Sequence, residues 1–88
     1  MNDLEVVAEL FDLDDEDAMI VLGLCDWVDH QIAIARHGYP RDNVIAPPIA
    51  ERLADPEYLA RLARIAREDE EVPPRILQAL VEKLDACR

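Results

Sequence analysis

Residues 14–36 read DDEDAMIVLGLCDWVDHQIAIAR, and this stretch decides the fold. Leu13, Asp14, Asp17 and Ala18 fall at the N′, N-cap, N3 and N4 positions of a helix, a carboxylate cap joined to a hydrophobic staple. The four acids of the opening turn meet the positive end of the helix dipole. Gly38 is placed to close the helix in the left-handed conformation, and Pro40 follows where a helix cannot continue. A helix from Asp14 to about Arg36 is therefore expected.

Two apolar stripes run along it. Ile20, Leu24, Trp27 and Ile34, with Gln31 among them, form one; Val21, Cys25, Val28, Ile32 and Ala35 form the other. Together they span roughly 200° of the helical wheel, far more than a one-sided surface helix needs. The remaining polar arc holds Glu16, Gly23, Asp26, His30 and His37. Such a helix must be covered on two sides, by its own chain or by a second copy.

Helical patterns continue outward in both directions. Leu4, Val7, Ala8 and Phe11 keep the i, i+3, i+4, i+7 spacing behind an Asn2 or Asp3 cap, predicting a helix over 3–11. Pro40, Pro47 and Pro48 forbid a continuous helix across 38–48. A short helix is expected over 48–53. Asp55-Pro56 supplies an N-cap and N1 pair for a helix running to about Asp69, with Leu59, Leu62, Ala63 and Ala66 inward. Val72-Pro73-Pro74 breaks the chain, and Ile76, Leu77, Leu80, Val81 and Leu84 mark a last helix over 74–86. No stretch alternates with period two. The expected fold is all-α: one domain over 1–88, a small bundle of four main helices around a long, largely buried second helix.

The charge is distributed unevenly. The 88 residues carry 20 acids and 9 bases, a formal net charge of −11. Residues 1–35 hold ten of those acids and no Lys or Arg, so the first segment carries −10 and the rest −1. A second acidic run, Glu68-Asp69-Glu70-Glu71, lies between the last two helical patterns. This balance repels nucleic acid, which is held by Lys and Arg, and disfavours an anionic membrane. It favours a protein partner with a basic surface. Asp12, Asp14, Asp15, Glu16, Asp17, Asp26 and Asp29 are the candidate contacts, with Tyr39 beside them in the turn after the long helix. Ile20, Leu24, Trp27 and Ile34 are the candidate interface of a homodimer; Trp27 fits either a core or an interface anchor.

Catalytic chemistry finds little to build on. The chain contains no Ser and no Thr, which leaves only Tyr39 and Tyr58 as hydroxyl nucleophiles. Cys25 and His30, at i and i+5, point to different sides of their helix. Gly23 and Gly38 are the only glycines, so no phosphate loop exists. The run from Asp12 puts Asp17 and Gly23 where a calcium loop needs glycine and glutamate. Asp26 and His30 share a helix face but lack the further ligands of a metal site. Arg61, Arg64 and Arg67 are matched at i, i+4 with Glu57, Glu68 and Glu71, as on a neutralised solvent face. A non-enzymatic role without cofactor or metal is expected.

No run reads as a membrane span and the opening residues lack a basic signal-peptide start, so Cys25 and Cys87 are expected as reduced thiols in the cytoplasm. Eight arginines to one lysine suit a GC-rich bacterial or phage genome. Two functional expectations result. The first is a regulator or inhibitor that occupies a basic, nucleic-acid-binding surface of a partner, acting as a nucleic-acid mimic. The second is a structural or assembly subunit that binds a partner or a second copy through the apolar face of the second helix.

Overall fold

The first helix, α1 (Asp3–Phe11), starts on Asn2, whose side-chain oxygen accepts a hydrogen bond from the Glu5 amide at 2.9 Å. It ends on Asp12, which adopts the left-handed conformation at φ 54 and donates its amide to the Ala8 carbonyl. The short polar side chain of Asp makes this geometry accessible to a residue other than Gly. The turn feeds α2 (Asp15–His37), capped by the Asp14 side chain, which accepts from the Asp17 amide at 2.8 Å. Gly38, at φ 74, closes α2 and donates to the Ile34 carbonyl at 2.9 Å.

The computed structural model describes residues 2–38 and 48–87. The proline-bearing connection and Tyr39 lie outside the described residues. Beyond the connection come α3 (Ile49–Leu53), α4 (Pro56–Glu68) and α5 (Pro74–Cys87), with no strand among the described residues. Asp55 caps α4 by accepting from the Glu57 amide at 2.9 Å, with Pro56 in the first turn. The helix bounds agree with the sequence pattern to within one residue.

The α1–α2 and α4–α5 hairpins pack on each other, α2 against α4 and α1 against α5, and α3 contacts α1 and α4. Val7, Val21, Val28, Leu53, Leu59, Leu62, Ile76 and Leu80 are at most 1% exposed and form the centre of one continuous core. Each contributes roughly 1.5–3 kcal/mol by leaving water.

The bundle covers α2 less completely than its apolar arc predicts. Val21, Leu24, Cys25 and Val28 are buried and Ile20 and Ile32 half-buried, while Met19, Trp27 and Ile34 stand exposed. The core therefore closes over one side of α2 and leaves the other open. By length and composition Asp15–Arg36 also qualifies as a membrane-crossing helix, which corrects the expectation that no run does. In the fold this helix packs against α1 and α4 and carries two buried carboxylates, Asp17 and Asp29.

Candidate protein-binding surface

At 3.6 residues per turn, Met19, Gly23, Trp27, His30 and Ile34 lie within about 80° of the α2 wheel. They form one outward stripe about 22 Å long, at ~1.5 Å per residue. Met19 is 63% exposed, Trp27 54% and Ile34 47%. The Trp27 indole stacks on the His30 imidazole, with ring centres 6.5 Å apart and planes inclined by 23°. Gly23 has open space where a side chain would stand. Trp27 is thus an exposed residue, which removes the core alternative.

An open groove runs beside this stripe, between α2 and α4. Ile20, Gly23, Leu24 and Trp27 line it from α2, and Ile65 and Val72 from the opposite wall. Trp27 also borders its continuation toward Gln31, Arg61 and Arg64. The acidic run after α4 forms the rim: Glu68, Asp69 and Glu70 border one part of the groove and Asp69 and Glu71 the other. Asp69 fixes this elbow by accepting the Glu71 amide at 3.0 Å on its side chain and the Val72 amide at 3.1 Å on its carbonyl. Arg61 and Arg64 keep their expected partners Glu57 and Glu68 at 3.7 and 3.6 Å, in exposed pairs that stabilise little.

The carboxylates expected on one acidic surface separate into two groups. Asp12, Asp14, Asp15, Glu16 and Asp26 are exposed. Asp17 and Asp29 are buried, which removes them from any contact surface. Asp17 accepts two hydrogen bonds from Arg75 on α5. That side-chain bond is the main cause of the lowered Asp17 pKa, working against desolvation. Asp29 is paired with Arg52 of α3 and accepts from the Tyr58 hydroxyl of α4 at 2.8 Å. A buried carboxylate needs such partners because desolvation of the bare charge is costly.

Around Asp29 the remaining groups are chemically quiet. The Tyr58 hydroxyl also lies 3.3 Å from the Cys25 carbonyl, which it can reach as a second acceptor. Burial drives the Tyr58 pKa well above the usual phenol range. Burial also lifts the Cys25 thiol to about 11, so it stays protonated at neutral pH and is a poor nucleophile. Cys25 and Cys87 are both free thiols. Among the described residues, no group of three or more His, Cys, Asp or Glu is placed to hold a metal ion.

The sequence pattern correctly places Ile20, Leu24, Trp27 and Ile34 on one side of α2, but the fold divides them. Leu24 is buried, Ile20 half-buried, and Trp27 and Ile34 exposed. Met19, Ile65 and Val72 escape the sequence reading. Met19 lies just outside the two stripes, and Ile65 and Val72 join the groove only through the meeting of α2 with α4 and the elbow. No family model matches the chain, and neither a curated protein nor a solved structure matches it.

Proposed function

We propose that this chain is a non-enzymatic protein-binding module that covers a basic surface of its partner, and so regulates or inhibits a protein whose surface otherwise meets nucleic acid. One observation carries the reading: Met19, Trp27 and Ile34 stand exposed along one face of a chain whose formal net charge is −11. An exposed tryptophan on an ordered helix is the kind of side chain that anchors an interface. The surrounding carboxylates select a cationic partner and speed the encounter. The free thiols support a cytoplasmic setting.

The test is capture from host extract on immobilised protein, comparing wild type with Trp27→Asp and Ile34→Asp. Proteins held by wild type and lost by both variants, with retention falling between 50 and 500 mM salt, are the expected result. An identical set on all three surfaces contradicts the reading.

The assembly of two copies is the second reading, favoured by the length of the apolar stripe. Light scattering at low and high salt separates the two. A dimer that persists in both, and that Trp27→Asp dissociates, favours self-assembly.

A further inference from the structure

We propose that the groove between α2 and α4 takes an amphipathic helix of another protein, one that carries a large apolar anchor and a cluster of Lys or Arg beside it. This deepens the binding-module reading and rests on it. The floor is apolar: Ile20, Leu24 and Trp27 face Ile65 and Val72 across it. From Ile20 to Gln31 the groove follows α2 for eleven residues, about 16 Å, which matches roughly three turns of a docked helix.

The charge around the floor is polarised. α4 runs antiparallel to α2, so the end beside Ile20 meets the elbow carboxylates and the end beside Gln31 meets Arg61 and Arg64. Both arginines are engaged with glutamates of their own helix. Arg64 and Glu68 offset each other, so the net field over the floor is set by Asp69, Glu70 and Glu71, three consecutive acids at one rim. A helix presenting cations to that rim while its apolar face lies on Trp27 satisfies both features, in the helix-in-groove mode of recognition. A second copy of this chain fits poorly, since it would bring another −11 against the same rim.

The experiment uses the full chain and two labelled 14-residue peptides of equal hydrophobicity, one Leu/Lys and one Leu/Glu amphipathic helix, followed by fluorescence anisotropy. Binding is expected for the Leu/Lys peptide alone, with the emission of the single tryptophan shifting to shorter wavelength. Replacing Glu68→Gln, Glu70→Gln and Glu71→Gln together is expected to weaken it about tenfold, since three exposed charges each contribute up to about a threefold effect. Ile65→Asp is expected to abolish it.

The control removes the same charge elsewhere, through Asp15→Asn, Glu16→Gln and Asp12→Asn, and is expected to change affinity less than threefold. Circular dichroism establishes that each variant is folded. Equal weakening by both charge sets, equal affinity for the Leu/Glu peptide, or a stable dimer occupying the face would overturn the proposal. If Trp27→Asp loses the captured partner while Ile65→Asp and the rim variant keep it, the α2 face remains the binding surface and the groove assignment alone fails.

Discussion

Arg75, in the first turn of α5, grips Asp17, in the first turn of α2, with two parallel hydrogen bonds: Nε to Oδ2 at 2.8 Å and Nη2 to Oδ1 at 2.7 Å. Asp17 stands at the N3 position, where its side chain is free to turn back on its own cap. It reaches instead across 58 residues of sequence to the opposite hairpin. The guanidinium remains largely in solvent while the carboxylate is nearly covered.

This pairing has a pH signature. Because the folded-state pKa of Asp17 is depressed, its contribution is present above the unfolded value, near ~3.9, and is lost as pH falls through the folded value. Arg75→Gln is expected to lower the melting temperature at pH 7. Its deficit relative to wild type should shrink steadily below about pH 4, in thermal melts recorded from pH 7 down to pH 2.

Asp29 makes the sharper case. Asp29→Ala leaves the Arg52 guanidinium, whose side chain is only 12% exposed, without its carboxylate, and loss of one partner of a buried pair costs about 3–5 kcal/mol. Tyr58→Phe removes a hydrogen bond to a charged acceptor and is expected to cost about 1.5–3 kcal/mol. Urea titration followed by far-ultraviolet circular dichroism measures both. Near-wild-type midpoints would mean that the Asp29 cluster does not fasten α3 and α4 to α2.

The alkaline limb responds to the same region. The folded Cys25 pKa lies above its ordinary value of 9.0, at about 11. The protonated thiol therefore stabilises the fold fully below pH ~9, and this contribution is lost as pH rises toward 11. Tyr58 adds a loss of the same sign above about pH 10. Cys25→Ala should remove the part that begins near pH 9, at the cost of a small cavity. At pH 8 under native conditions, a thiol reagent should modify half-buried Cys87 and reach Cys25 only on unfolding.

Trp27→Gln is expected to leave stability within about 0.5 kcal/mol, as befits a surface position. Trp27 emission in the wild type should resemble that of a hydrated indole and respond to acrylamide. A loss of several kcal/mol would mean that the indole is enclosed.

Most of the architecture was legible because helix signals are local. Asn2, Asp14, Asp55 and Gly38 sit at caps whose chemistry needs only three or four neighbouring residues, and the structure uses all four. The surface was less legible because burial is set by what packs from a distance. Asp17 and Asp29 look like their neighbours Asp15 and Asp26 in sequence, and their burial against Arg75, and against Arg52 and Tyr58, is set by other helices. Nothing in the spacing announces those partners. The width of the apolar arc on α2 likewise records how much of the helix avoids water, without saying which part its own chain encloses.

The two buried carboxylates lie twelve residues apart on α2, about 18 Å along its axis. One is fastened to α5 and the other to α3 and α4, with aliphatic packing between them. Sliding α2 by a single turn would separate both carboxylates from their partners at once, so the two pairings together favour the observed alignment. Its outward indole is consequently presented at one azimuth and height on the bundle surface.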